Sequence, residues 1–450
     1  MKKIKFIAVV FASSFLTISY SQEKAPSSFS LKSSIEYGLS HHISAEVYAN
    51  MIDQSKYEVR EYLSNYLPQV SLNASLDDNI KLQQTVIPEG TFFPGSPEQR
   101  VAFGSKWNSA VTATATQVIY NQSMISGIDG VKKKKNLTIM QGEQNNETII
   151  YNVASSYFQL LVAQKSLELL QSNKERLEEI LRIVELQSNQ GVAKKVDVSQ
   201  VRVNLNNVLS QISNLENNIT IAESSLKVNM GLDINATIEL TDINTWIENK
   251  PTLQQYTAFN YENTLEGKMQ QLQMELLDIN RKSIRYQIIP TLSLYARYGA
   301  NTMAQKFPDL YNPILDYSAM GLQLSWNIFT GLRRNSQYKQ ASIELTNIKL
   351  NYELNGSLMQ LQYKNAESQS NEAQRMMLTN KENLELAQEV YDNTTLQYQQ
   401  GVATLSDLLN AELSYKEAHN NYINSLLKYY IADLSVHKAN GTLQEYYKSL

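Results

Sequence analysis

The chain has 450 residues, 42% of them hydrophobic, with 16 glycines, 9 prolines, no cysteine and four histidines. Disulfides and cysteine-based metal sites are therefore excluded. No run of about 18 apolar residues follows the first residues, which rules out a polytopic helical membrane protein, and a formal net charge of -4 gives no reason to expect a nucleic-acid partner.

The N-terminus reads as an export signal over residues 1–21: Lys2, Lys3 and Lys5, the apolar run Phe6 to Leu16, then small residues Ser19 and Ser21 before Gln22. Its removal takes three lysines and no acid, moving the net charge from -4 to -7. With no cysteine at the cleavage site, lipid acylation of the mature chain is not expected there.

A helical stretch then spans 31 to 66 and is halted by Pro68. Two strands follow. Val70, Leu72, Ala74 and Leu76 alternate with Ser71, Asn73, Ser75 and Asp77, and Trp107, Val111, Ala113 and Ala115 alternate with Asn108, Thr112 and Thr114. Period-two alternation fits a half-buried antiparallel sheet or a lipid-facing, water-lined barrel strand. From about 122 to 189 the pattern is helical without a proline, which at 1.5 Å per residue is roughly 100 Å, too long to hide in a compact domain. Gly191 suits a left-handed cap, and the chain returns as a helix whose Val198, Val201, Leu205, Val208, Ile212, Leu215, Ile219, Ala222 and Leu226 follow coiled-coil spacing.

The same plan then repeats. A helical stretch over 252 to 287 stops at Pro290, and Leu292, Leu294, Ala296 and Tyr298 form one face of a third strand. Met320, Leu322, Leu324, Trp326 and Ile328 form one face of a fourth, with Ser109 and Tyr295 as exceptions to the alternation across the four strands. A second long helical pattern covers 332 to 399, Gly401 ends it, and Leu408, Ala411, Tyr415, Ala418 and Tyr422 mark a narrower returning seam. Pro68 and Pro290 are 222 residues apart, whereas Gly191 and Gly401, and Gly231 and Gly441, are each 210 apart, so the loop between the first two strands is the longer one. The expected organisation is a signal peptide (1–21), a first repeat (22–231), a linker or equatorial segment (232–251), a second repeat (252–441) and a C-terminal tail (442–450).

Four strands cannot close a barrel, and an open edge is not tolerated in lipid. If the strands enter a membrane, several chains share one barrel, and three copies give an even twelve strands. The helices then continue from one side as a tube, because each strand pair enters and leaves on that side.

At Pro68 and Pro290, at the joints Tyr120-Asn121-Gln122 and Trp326-Asn327-Ile328-Phe329-Thr330-Gly331, and at the turns Gly191-Val192-Ala193 and Gly401-Val402-Ala403, the chain resembles the outer membrane efflux and secretion channels of the TolC type over nearly its whole mature length. The resemblance implies a mixed α and β fold with internal duplication: a homotrimeric outer-membrane β-barrel, four strands per chain, continued by a long periplasmic α-helical coiled-coil barrel. It implies a passive duct in the outer membrane of a Gram-negative bacterium, in contact with outer-membrane lipid. A periplasmic adaptor would couple it to an inner-membrane transporter in an efflux or type I secretion system. It further implies a periplasmic gate at the helix tips. Asp407 matches the first acid of the family's pore ring, whereas the second is Asn410; Asp197 and Tyr398 match a closing network in which Val196 and Ala403 replace a threonine and an arginine. That predicts a weaker acidic ring and an entrance held shut less firmly. Gly191, Val192, Gly401 and Val402 match the adaptor-docking turns, and Pro68 and Pro290 the strand starts. Drug, metal-ion and protein cargoes all remain open.

Other features have plainer readings. For each tip acid the simpler reading is a charge interacting with the helix dipole. His41-His42 point about 100 degrees apart on a helix and lack a third ligand. Tyr415, Tyr422, Tyr429 and Tyr430 read as helix packing, and the run Lys132 to Lys135 as a solvated surface, with a lipid-headgroup contact only if it lies close to the membrane. Trp107 and Trp326 suit either interfacial anchors or core packing. No catalytic constellation, phosphate loop, cofactor motif or metal-spaced ligand set emerges, so an enzyme is not expected. The competing reading is a periplasmic coiled-coil adaptor or structural rod, which has no need of two strand pairs with an apolar face.

Overall fold

The computed structural model describes residues 27–91, 93–248 and 258–450; the expected signal peptide lies outside them. The chain begins with β1 (Ser28–Phe29), α1 (Leu31–His41) and α2 (Ile43–Ser64). The single helix expected over 31 to 66 is thus two, broken at His42. His42 is extended (φ -66, ψ 130), and its Nδ1 accepts the amide of Ser44 at 3.1 Å, so this histidine caps the second helix. His41 stacks on Tyr37 with ring centroids 4.0 Å apart. Both histidines do local structural work, and no group of three or more metal-binding side chains occurs among the described residues.

Next come β2 (Gln69–Asp78), a small hairpin of β3 (Gln84–Ile87) and β4 (Gln99–Ala102), and β5 (Trp107–Tyr120). The hairpin fills the longer first loop and had no alternation strong enough to be seen in the sequence. Then follow α3 (Gln122–Asn189), α4 (Lys195–Met230), β6 (Glu239–Leu240) and α5 (Ile243–Glu248). The second half has α6 (Leu265–Tyr286), β7 (Thr291–Ala304), β8 (Leu315–Ser325), α7 (Arg333–Gln399) and α8 (Leu405–Asn440), and α9 (Leu443–Ser449) closes the chain. The C-terminal tail is therefore a docked helix, with Leu443 and Tyr446 buried in the main core. Helix α6 starts later than the expected 252, and part of that expected helix, 252–257, lies outside the described residues.

The four long strands form one antiparallel sheet in the order β2-β5-β7-β8, leaving β2 and β8 as its edges. Register sorts the faces. Val70, Ala115, Ala296 and Met320 lie in one row across the sheet, and Ala74, Val111 and Ala300 in another, all on the apolar face. Asn73, Thr112, Gly299 and Tyr317 form a row on the polar face. Tyr295, out of place as a tyrosine among polar residues, lies over Gly321 directly opposite it, and Tyr317 lies over Gly299 while meeting the Thr112 hydroxyl at 3.0 Å. An aromatic ring laid across a cross-strand glycine covers backbone that would otherwise be bare. The fourth strand ends at Ser325, short of the expected Ile328, because Trp326 leaves the ladder and its Nε1 donates to the Ile288 carbonyl at 2.9 Å.

The main core lies where the middle of α3 meets α1, α4 and α8. Phe29, Ile35, Ile150, Val153, Tyr157, Phe158, Leu161, Leu226, Met230, Met377 and Leu426 are buried there. Asp242 accepts from the Leu31 amide at 3.2 Å and from Trp246 Nε1 at 2.9 Å, and Tyr157 donates to it as well, tying the two short strands to the helices. Tyr422, Tyr429 and Tyr430 are packed in this core, and burial pushes Tyr429 up to about 12. The lysine run faces two ways: Lys133 meets Glu275 of α6 at 2.6 Å and Lys134 meets Glu58 of α2 at 2.8 Å. Four consecutive helical positions reach both flanking helices, so two of the four are tied to neighbours rather than merely solvated.

Gly231 ends α4 at φ 76, and a Cβ built there meets the His41 carbonyl at 2.6 Å; Gly191, at φ 78, has open space around it. Gly191→Ala is expected to destabilise by about 1–2 kcal/mol, from backbone strain alone. Gly231→Ala is expected to cost about 3 kcal/mol or more, because the α1–α2 break must also shift. Thermal unfolding of the two variants followed by helical circular dichroism checks the order.

Candidate functional site at the helix turns

Each long helix ends in the same six-residue turn. After α3, Val192 and Ala193 donate to the Gln187 carbonyl at 2.8 and 3.2 Å; after α7, Val402 and Ala403 donate to the Gln397 carbonyl at 2.9 and 3.2 Å. Gly191 and Gly401 sit at φ 78 and 75, the left-handed geometry that lets these amides reach back. Gly191, Val192, Gly401 and Val402 are all exposed, so both turns present backbone and a valine to solvent. Pro68 and Pro290 each immediately precede a long strand, β2 and β7.

The acids after the turns have a definite local task. Asp407 Oδ2 accepts from the Thr404 amide at 2.9 Å and hydroxyl at 2.6 Å, while its own amide donates to Thr404 Oγ1 at 3.2 Å. This reciprocal box fixes the first turn of α8. The hydrogen bond from the Thr404 hydroxyl, with the amide bond second, holds the exposed Asp407 carboxyl below the usual carboxylate range. Its contribution is present above the unfolded carboxylate range and is lost as pH falls through the lowered value. Asp197 makes half of the same device, accepting from the Lys194 amide at 3.1 Å, because a lysine cannot return the bond. Asn410 is exposed on the next turn of α8.

Tyr398 links the two turns, donating to Gln187 Oε1 at 3.3 Å rather than to Asp197. Burial raises the Tyr398 hydroxyl, and the nearby Asp197 charge raises it further. Asp197 and Tyr398 are thus brought together electrostatically while the hydrogen bond goes to Gln187, a residue the sequence reading passed over. Its carbonyl also anchors the first turn, so one residue joins the turn to its neighbour.

About 20 Å above the turns, the seam of α3 with α8 holds a charged cluster that sequence reasoning missed. Arg176 lies 5.5 Å from the ring centres of both Tyr391 and Tyr415, and its Nε is 3.5 Å from Glu412, whose side chain is 5% exposed. Burial raises the Glu412 carboxyl, against the opposing pull of Arg176. Burial also lowers Lys416 and His419. A cavity of about 120 Å³ opens beside them, lined in part by Asn173, Arg176, Tyr415, Lys416 and His419. The available sequence signal was a glutamate on the buried stripe one turn beyond Leu408.

The comparisons agree with this architecture. The sequence model for the family described as outer membrane efflux protein matches residues 47–232 and 268–442, one match per half. Outer membrane protein TolC of Salmonella enteritidis is 25% identical over 347 residues, covering 73% of this chain and 68% of that protein. A crystal structure of CusC superposes with a TM-score of 0.72 at 15% identity, covering 91% of this chain and 92% of CusC. The open state of the Neisseria gonorrhoeae MtrE outer membrane channel gives 0.72 at 14%, covering 92% and 89%.

The seam makes its own prediction. A raised carboxyl is most favourable to the fold below its unfolded value, and that contribution is lost as pH rises through the raised one. Glu412→Gln, which mimics the protonated acid, is expected to match the wild type near about pH 4 and to melt at a higher temperature at about pH 8. His419 contributes equally in both proteins. Melting curves across that range check the crossover.

Proposed function

We propose that this chain, which belongs to the outer membrane efflux protein family, is one third of a channel: three copies share a twelve-stranded barrel in the outer membrane and a helical conduit in the periplasm. Proteins of this family are outer-membrane channels of efflux pumps, not enzymes, and this chain is such a channel. The observation that carries the assembly is the open four-stranded sheet with both edge strands unpaired and one apolar face exposed. In lipid, unpaired backbone groups are costly enough that β8 of one copy must pair with β2 of the next. The helices then form the periplasmic part, with α3 and α7 each about 100 Å long, and the β2–β5 and β7–β8 connections lie at the other end of the sheet. A helical rod without a pore gives no use to that sheet.

Trp107 stands at one end of the sheet and Trp326 just past the other, separated by the length of β7, about 46 Å along the strand. With a barrel tilt of about 40 degrees this spans roughly 35 Å, which suits tryptophans at the two membrane interfaces.

The turns at Gly191 and Gly401 are the end of the conduit that an adaptor meets, and an inner-membrane transporter supplies the energy. Their exposed valines and backbone suit a helical hairpin docking tip to tip. Asp407 and Asn410 face the pore in this reading, with one of the two ring positions acidic instead of both, and the Tyr398 link to Gln187 holds the closed entrance.

Negative-stain images of detergent-purified protein from an outer-membrane fraction are expected to show threefold particles with a long hollow stalk; a soluble monomer or solid rod overturns the channel. In planar bilayers, Asn410→Asp is expected to deepen block by millimolar magnesium severalfold, and Asp407→Ala to abolish what block exists. Unchanged block in both places these side chains away from the pore.

A further inference from the structure

Below the sheet, where α6 ends and α7 begins, the surface combines features that neither strand packing nor the conduit uses. The exposed apolar stripe of β8, Met320, Leu322 and Leu324, continues with the same parity through Trp326 and Ile328 after the strand has ended. Ile328, Phe329 and Leu332 are 72%, 80% and 68% exposed. Leu332 is the one non-glycine with positive φ among the described residues, at 63°, directly after Gly331 at 61°. A leucine held in the left-handed region with its side chain in the open is strained.

Two guanidiniums line this apolar ledge, and a third belongs to the residue directly after Leu332. Arg285 is in the last turn of α6, and Arg333 and Arg334 are in the first turn of α7, an unfavourable place for cations beside the helix dipole. None of the three has a carboxylate within ion-pair distance among the described residues, although one turn earlier Arg281 and Lys282 share Asp278 at 2.5 and 2.8 Å. Arg334 is steadied by the carbonyls of Gln287 and Asn327, both 3.4 Å from Nη1, which leaves most of its donors free. Arg285, Ile288, Ile328, Phe329, Leu332 and Arg334 line a groove of about 720 Å³.

We propose that this groove binds an anionic phospholipid of the inner leaflet, its phosphate between Arg285 and Arg334 and its acyl chains along Ile328, Phe329 and Leu332. The inference rests on the reading that the sheet spans the outer membrane. Continuity with the lipid-facing stripe, past Trp326 at the interface, puts the ledge at the boundary where acyl chains meet headgroups and the arginines at headgroup depth, where guanidiniums pair with phosphate in a forked geometry. A free phosphate ion leaves the apolar wall without a role, so the lipid is the occupant. Arg333 adds charge at the rim and favours a headgroup of net negative charge over a zwitterionic one.

The test uses full-length protein reconstituted in phosphatidylcholine vesicles with and without phosphatidylglycerol, extracted in mild detergent and examined by native mass spectrometry for retained lipid. Wild type is expected to retain phosphatidylglycerol at about tenfold lower lipid fraction than phosphatidylcholine. The Arg285→Gln/Arg334→Gln pair is expected to lose that preference, and Lys282→Gln, already engaged by Asp278, to keep it. Phe329→Ser is expected to weaken retention of both lipids while the preference stays. Equal retention by wild type, an undiminished preference in the double variant, or competition by millimolar inorganic phosphate overturns the site. If the double variant does not fold, Arg285→Lys/Arg334→Lys, which keeps charge without the fork, must still reduce the preference. Failure of wild type to enter either vesicle overturns the membrane reading beneath it, a result distinct from insertion without preference.

Discussion

Backbone hydrogen bonding at a sheet edge governs the architecture. A four-stranded sheet leaves one flank of β2 and one of β8 without partners, and in a medium without water those groups have nowhere else to turn. In the proposed trimer each chain therefore supplies two seams to its neighbours as well as the three within it. The duplication follows the same logic: two strand hairpins, each with helices returning on its own side, deliver both halves of the sheet to one end and every long helix to the other.

Much of this was legible because it depends on periodicity. Alternation located the four long strands but fell up to six residues short of their ends, as at Tyr298 where the third strand runs on to Ala304, and unbroken helical patterns located α3 and α7. The glycines spoke clearly at Gly191 and Gly401, where positive φ was needed, while Gly231 and Gly441, also at positive φ, had served only as markers of the repeat. What escaped was decided by contacts between distant segments. Nothing in the alternation over 31 to 66 announces that the helix breaks at His42, where Gly231, nearly 190 residues later, packs against the broken backbone. The β3–β4 hairpin, whose strands have four residues each, is too short to carry a period. Trp326 kept strand parity in the sequence but was drawn out of the ladder by the carbonyl of Ile288.

The helix turns show why family matching and local chemistry must be read together. The family resemblance proposes Asp407 as a gate residue, whereas geometry shows a capping acid locked to Thr404. The two descriptions are compatible. A cap fixes the carboxylate in place and keeps it ionised, so whatever electrostatic task it has is performed by a charge that does not wander. Likewise, Tyr398 bonds Gln187, a neutral partner, and that linkage between the turns carries no formal charge pair.

The two tyrosine–glycine pairs on the polar face of the sheet also set a dimension. Tyr295 and Tyr317 are the bulkiest side chains of their rows, yet each lies flat across the glycine opposite rather than projecting from the wall. Rotated inward, six such rings in a closed trimer would narrow the bore to a sieve. Laid down, they would act as lining in the proposed trimer and leave its bore wider than upright rings would. In such a barrel the wall itself would sort little, and choice of cargo would fall to whatever loads the far end.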